Sequence, residues 1–236
     1  MIGIYFWIII KQIPKEIFTF SNQTLSFDKK INIKFIVLKS ALIIFVRNPV
    51  LGKVKSRLAA TIGDQRALDI YKKLLSHTHT ISKNNDADKF IFYEDFLNEN
   101  DLWENNIYQK FLQEGDDLGG RMKSAFEKLF SDGYKKILII GSDCHELTAD
   151  ILNDAYIELS MHDVVIGPAS DGGYYLLGIT KFIPELFDGK KWSSETVYTD
   201  TINQARELNY SITSLLTLND VDVESDIDFD KLSKLA

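Results

Sequence analysis

Five short stretches of this chain carry residue types that could do chemistry together. The segment Gly141-Ser142-Asp143 follows the apolar run Ile137 to Ile140, which puts a carboxylate at the end of a buried strand. In open α/β sheets ligands collect at that edge. The segment Ser170-Asp171-Gly172-Gly173 follows a second apolar run, Val164-Val165-Ile166, and leads into a third, Tyr174 to Ile179. An Asp-Gly pair between two strand-like runs predicts a hairpin. Asp143 and Asp171 therefore both fall where strands end and could share one site.

The third stretch is Arg47-Asn48-Pro49-Val50-Leu51-Gly52-Lys53-Val54-Lys55-Ser56-Arg57-Leu58, whose cations are Arg47, Lys53, Lys55 and Arg57. It follows the strand-like Ala41 to Val46 and leads toward a helix. A loop so placed offers backbone N–H groups and positive charge to an anion. It lacks the glycine spacing of a Walker A loop, and Val54 stands where a hydroxyl residue would be required. Its two readings are a phosphate-binding loop and a solvated basic surface. The fourth stretch, Glu114 to Met122, places Gly115, Gly119, Gly120 and acids at a helix start, with Arg121 in the first turns and Asp117 as N-cap. Small residues there let a ligand approach the backbone closely. The fifth is the acidic tail Asp220-Val221-Asp222-Val223-Glu224-Ser225-Asp226, either an exposed strand edge with a helix cap or a carboxylate delivered to the site.

The elements that must position these residues follow from hydrophobic periodicity. Strands are predicted at Ala41–Val46, Lys89–Tyr93, Tyr108–Gln113, Ile137–Ile140, Val164–Ile166, Tyr174–Ile179 and Ile212–Leu218. Helices are predicted at Asp64–Asn84, Thr148–Ser160 and Ser194–Asn209. Another carries the core stripe Leu118, Met122, Ala125, Phe126, Leu129 and Phe130. The acidic, Asn-rich stretch 95–106 reads as a loop with a short helix. His77 and His79 lie two apart on a helix, point in different directions and read as surface residues rather than a metal pair. Alternating strands and helices predict a three-layer α/β/α domain around a mixed, mostly parallel sheet. The Val164–Ile179 hairpin supplies the antiparallel part.

At 236 residues and 45% apolar, the chain suits one large α/β domain, expected over residues 41–236. The net charge of −7 provides no basic field for nucleic acid. A single cysteine, Cys144, excludes an intramolecular disulfide and fits a reducing, cytoplasmic setting. Residues 1–40 open with an apolar run too short to span a bilayer. That run reads as an extension outside the domain, and no transmembrane segment is expected.

Taken together, FVRNPVLGKVKSRLA (residues 45–59), GDDLGGRMKSAF (115–126), GSDCHEL (141–147) and GPASDGGYYLLG (167–178) resemble the GT-A-fold nucleotide-diphospho-sugar transferase superfamily. Within it, the chain is most similar to bacterial glycosyltransferase-like proteins related to 2-phospholactate guanylyltransferase. Weaker support comes from WSSETV (192–197) and NDVDVESD (219–226). The resemblance implies that Arg47 and the Gly52–Arg57 loop, with Lys53, Lys55 and Arg57, wrap the nucleotide phosphates. It places Gly115, Leu118, Gly119 and Arg121 near the nucleotide. It makes Asp143 a ligand of Mg²⁺ or Mn²⁺, with Asp222 or its neighbour Asp220 as the second, and counts Lys53, Arg57 and Asp143 as catalytic. Asp171, Gly172, Gly173 and Tyr174 would face the acceptor. Ser56 stands where the family usually has threonine, and His145 where a proline commonly follows the Asp-Cys pair. No D-x-D motif is present at Asp143, because Cys144 and His145 follow it.

Two reactions suit paired carboxylates facing a cationic loop. In nucleotidyl transfer an acceptor oxygen attacks the α-phosphate of a nucleoside triphosphate. In glycosyl transfer an acceptor hydroxyl attacks the anomeric carbon of a nucleotide sugar. The partners would be a nucleotide or nucleotide sugar and a small acceptor. A non-catalytic nucleotide-binding protein is the alternative from another class.

Overall fold

The central strands are buried on both faces, and the alternation along the first strand shows how. In β1 (Ser40–Val46), Leu42, Ile44 and Val46 enter one apolar cluster while Ala41 and Ile43 enter another. Successive side chains of a strand point to opposite faces, so one strand feeds two cores. The computed structural model describes residues 39–192 and 194–227. β1 is followed by β2 (Asp88–Tyr93), β3 (Tyr108–Leu112), β4 (Lys136–Ile140), β5 (Val164–Pro168), β6 (Tyr174–Ile179) and β7 (Ile212–Ser214). These make one seven-stranded sheet in the order β3-β2-β1-β4-β6-β5-β7. Only β6 runs antiparallel to its neighbours, β4 and β5. The remaining pairs are parallel.

The helices are α1 (Ser56–Ile62), α2 (Asp64–Lys83), α3 (Leu118–Ser131), α4 (Ala149–Glu158) and α5 (Val197–Glu207). Leu58 of α1, Leu68, Tyr71, Leu74 and Leu75 of α2 and Leu152 of α4 pack on one face. Met122, Phe126 and Leu129 of α3 and Ile202 of α5 pack on the other. The three-layer α/β/α architecture with a mostly parallel sheet is thus present as expected. No helix among the described residues is long and apolar enough to cross a membrane. The expectation that residues 1–40 lie outside the domain concerns, apart from Lys39 and Ser40, residues outside those described.

Several local expectations change. Residues 56–62, read as part of a loop, form α1; Leu58 is its only fully buried residue, too little pattern to register as a helix. Gly63, at φ 85°, ends α1 and begins α2, a left-handed conformation that favours glycine. The stretch 95–106 contains no helix. The last strand stops at Ser214 and resumes only as a single bridge between Leu218 and Ala169. Leu118 does not belong to the core stripe and is 44% exposed. It occupies the first position of α3, which starts beyond the sheet's C-terminal edge, where no strand lies beneath it. The two histidines are half-buried rather than surface residues. His77 Nε2 lies 2.8 Å from the Leu147 carbonyl, and His79 Nε2 lies 2.7 Å from Glu104 Oε2.

Candidate active site

β1 and β4 are neighbours from which the chain moves toward opposite edges of the sheet, from β1 to β2 on one flank and from β4 to β5 on the other. Their C-terminal ends therefore border a crevice at the topological switch point. The loop after β1 carries the cations and the loop after β4 carries Asp143. Lys55 Nζ meets Asp143 Oδ2 at 2.9 Å, and the lysine side chain is only 9% exposed. Lys55 holds a left-handed backbone, φ 48° and ψ 48°, as the residue that opens α1. For a side chain with a Cβ this conformation costs about 1–2 kcal/mol, a strain of the kind that concentrates at functional sites.

The tail closes the crevice from the third side. Val221 N–H donates to the Asp143 carbonyl at 3.0 Å, and Asn219 N–H donates to Glu146 Oε2 at 2.9 Å. Asp220 is thereby half-buried beside Asp143, and its Oδ1, out of reach of solvent, has no hydrogen-bond partner among the described residues. Burial first, and the negative charge of Asp143 second, push its carboxyl from the ordinary 3.8 up to about 8, with Asp171 adding to the repulsion and Lys55 opposing it. Asp222 has another role: its Oδ2 accepts from Arg57 at 2.7 Å near the surface. Between Asp220 and Asp222, it is Asp220 that faces Asp143. Cys144 adds no thiolate, because burial pushes its thiol well above the usual range. Its Sγ points at the Asn219 carbonyl, 3.5 Å away.

The raised carboxyl of Asp220 has a stability consequence with a definite sign. The folded state holds a proton that the unfolded state releases near pH 4, so stability falls as pH rises from about 4 to about 8 and levels off above. Asp220→Asn keeps the shape without the charge. It is expected to melt higher than the unsubstituted protein, with a gap that widens up to about pH 8; melting curves across pH 5–9 would read it. Equal slopes for both proteins would mean that Asp220 is ionised at no cost in the fold.

The rest of the wall is built by close backbone approach. Asp171 Oδ1 accepts from Gly173 N–H at 2.9 Å, which fixes the hairpin turn. Gly172, at φ 88°, presses on the segment before α5: a Cβ there would sit 2.0 Å from the Glu195 carbonyl oxygen. Tyr174 is half-buried with its hydroxyl toward Met122 Sδ, 3.7 Å away. Gly119 lies under the indole of Trp192, where a Cβ would come within 2.2 Å of Nε1. Asp117 caps α3 as expected, accepting from Gly120 N–H at 2.7 Å. Arg121 reaches back to the Gly115 carbonyl through Nε at 3.3 Å.

Lys55, Asp143, Asp171 and the Asp220–Asp222 tail thus come together. Arg57 joins them only through Asp222. Gly52, at φ 72°, turns the cationic loop beside Asp64, and Lys53 is exposed on it. Gly115, Leu118, Gly119 and Arg121 gather at the start of α3, where Arg121 at 2.9 Å and Arg47 at 3.1 Å both pair with Glu94.

Sequence reasoning missed two supporting residues. Tyr71 of α2 read as plain core, yet its hydroxyl accepts from Arg47 N–H at 3.0 Å and lies 3.1 Å from Ser142 Oγ. It pins the roots of the β1 and β4 loops to each other, and burial keeps it neutral by raising it to about 12. A hydroxyl inside an otherwise apolar stripe was its only signal. Asn48, buried in the cationic loop, donates to the Phe96 carbonyl at 2.9 Å and accepts from Asp95 N–H at 3.1 Å. Among the described residues, no group of three or more His, Cys, Asp or Glu side chains forms a complete metal cage.

The family and the fold are shared with known proteins. Residues 77–194 match the family DUF2064, described as an uncharacterized protein conserved in bacteria. No curated protein matches the sequence. A crystal structure from Desulfovibrio desulfuricans G20, provisionally named a nucleotide-diphospho-sugar transferase, is 35% identical. The alignment covers 78% of this chain and 82% of that one, with a TM-score of 0.71. The fold is also similar to 4-diphosphocytidyl-2C-methyl-D-erythritol synthase from Anaerococcus prevotii DSM 20548. That match has 11% identity and a TM-score of 0.55 over 83% of this chain and 96% of that one. The bifunctional IspDF of Campylobacter jejuni matches over 82% of this chain and 54% of its own, at 10% identity and a TM-score of 0.53.

Proposed function

The chain is a member of the DUF2064 family, and on that premise we propose that it is a transferase acting on a nucleotide-activated donor, with a hard divalent cation, Mg²⁺ or Mn²⁺, as cofactor. The observation that carries this reading is the convergence of Lys55, Asp143 and the unpartnered carboxyl oxygen of Asp220 at the switch-point crevice. The name of the Desulfovibrio relative points to the same class of donor.

The donor set fits such a cation. Asp143 offers a carboxylate, Asp220 a carboxyl that would release its proton to a bound cation, and the neighbouring thiol stays protonated, so the site is hard rather than soft. Two carboxylates leave the other positions to phosphate oxygens and water, the usual arrangement for Mg²⁺. When bound, the cation would neutralise charge on the departing phosphates. The protein's own cations share that work. Lys55, released from Asp143, would meet the phosphate chain, flanked by Lys53 on the same loop and by Arg57 in the first turn of α1. Tyr71 and Asn48 hold that loop at the height of Asp143. The turn at Asp171 to Gly173 and Tyr174 form the side on which an acceptor would approach.

In nucleotidyl transfer the acceptor oxygen bonds to the α-phosphorus, the bridge to the β-phosphate breaks and pyrophosphate leaves. In glycosyl transfer the acceptor oxygen bonds to the anomeric carbon, its proton passes to a base or water, and the nucleoside diphosphate leaves. Melting curves with ATP, GTP, CTP, UTP and UDP-glucose, each with Mg²⁺, test donor binding. A ligand at a hundred times its Kd adds about 2.7 kcal/mol, or roughly 5–10 °C for a domain of this size. Release of pyrophosphate or of UDP then separates the two transfers. A shift with no product in the presence of small phosphorylated, carboxylate and hydroxyl acceptors would favour a non-catalytic binding protein. No shift with any of the five would sink the reading.

A further inference from the structure

Beside the start of α3 stands a carboxylate, Glu94, that the readings above leave without a role. Glu94 follows β2 directly, and its backbone N–H continues the ladder by donating to the Val46 carbonyl at 3.0 Å. Its side chain takes two guanidinium groups at once: Arg47 Nε lies 3.1 Å from one carboxylate oxygen, and Arg121 NH1 lies 2.9 Å from the other. Arg47 opens the cationic loop after β1. Arg121 stands in the first turn of α3, more than seventy residues away in the sequence. Among the described residues, no other side chain takes both of these arginines. Arg121 is further aligned by the Gly115 carbonyl and by Gln113 Oε1 at 3.5 Å.

We propose that Glu94 is a positioning residue that binds Arg47 and Arg121 into one two-guanidinium clamp for the nucleotide donor. The inference rests on the nucleotide-donor reading given above. Two like charges on separate loops repel and would splay apart; a carboxylate between them offsets that repulsion and fixes their spacing. Each guanidinium is a rigid planar fork, so fixing one edge on Glu94 orients the remaining N–H groups. The clamp keeps a net charge of +1, enough to attract a phosphate or a polarised sugar or base oxygen. Glu94 itself, as an anion, would repel phosphate. A loss of nucleotide affinity on removing it would therefore run against simple charge counting, which makes the test a sharp one.

Calorimetric titration of the full chain with ATP, GTP, CTP, UTP and UDP-glucose, each with Mg²⁺, supplies the test. For whichever probe binds the unsubstituted protein, Glu94→Ala is expected to weaken binding by about tenfold or more. Glu94→Gln, which keeps one carbonyl acceptor and the side-chain volume, should fall between the two and serves as the reading if the alanine variant does not fold. In an Arg47→Ala, Arg121→Ala background, Glu94→Ala should have no further effect, because Glu94 acts through those side chains; a residue with a merely structural role would still cost affinity there. Unchanged or tighter binding in Glu94→Ala or Glu94→Gln, or an equal loss in the arginine-free background, overturns the positioning role while leaving the nucleotide reading intact. Failure of the unsubstituted protein to bind any of the five probes overturns both.

Discussion

Asp143→Asn is expected to lower divalent-cation-dependent turnover by roughly a hundredfold or more, about 2.7 kcal/mol of transition-state stabilisation. The amide is neutral and a weak ligand for a hard cation. Two effects on stability oppose each other in this variant. The substitution strands the largely buried Lys55 ammonium, which costs stability. It also removes the charge that stands second among the causes raising the Asp220 carboxyl, which restores some. Because Asp143 is 39% exposed, solvent screens both effects. The variant should therefore fold, with a melting temperature within a few degrees of the parent. Full cation-dependent activity in Asp143→Asn would reject the metal assignment and direct attention to Asp171.

Lys55→Met is expected to weaken nucleotide binding by about ten- to a hundredfold, the value of a charge-assisted hydrogen bond of roughly 1.5–3 kcal/mol. Methionine keeps much of the aliphatic stem and removes the ammonium. Lys55 is the cation that lies against Asp143 and opposes the rise of the Asp220 carboxyl. Its loss should thus lower the melting temperature more at pH 8 than at pH 5, where Asp220 carries its proton. Lys53→Ala, on an exposed part of the same loop, should cost less affinity, because a solvated charge contributes little. Equal affinity for nucleotide in Lys55→Met and the parent would return the loop to a basic surface, and the ion pair with Asp143 to a purely structural contact.

Both variants work on one crevice, and its construction explains how one loop can serve it. The Tyr71 hydroxyl ties Arg47 to Ser142, so the loop after β1 and the loop after β4 share a fixed height. The bond from Val221 N–H to the Asp143 carbonyl then fixes the acidic tail against them. Three segments far apart in sequence are thereby held by a handful of hydrogen bonds. Two features of this crevice cost the fold something: one oxygen of Asp220 has no hydrogen-bond partner among the described residues, and Lys55 holds a left-handed backbone.

The sequence by itself determined the strand runs, apart from the extent of the last one, the capping of α3 by Asp117, and the hairpin at Asp171. Each of these is a local matter: apolar alternation, a side-chain oxygen within reach of an N–H three residues on, a turn that needs glycine. It also placed Asp143 beyond a strand end and the cations after the first strand, because position along an α/β unit fixes the edge of the sheet. Only the tertiary structure decided which charges meet. Asp220 and Asp222 are two apart and chemically identical, yet one turns a carboxyl oxygen inward beside Asp143 and the other takes Arg57 at the surface. That choice depends on where the tail crosses the sheet edge, which no local pattern encodes. The same holds for Glu94, an ordinary acid after a strand until the fold sets Arg47 and Arg121 on its two oxygens. Ion pairs of this kind are contacts between distant segments, and sequence spacing carries no record of them.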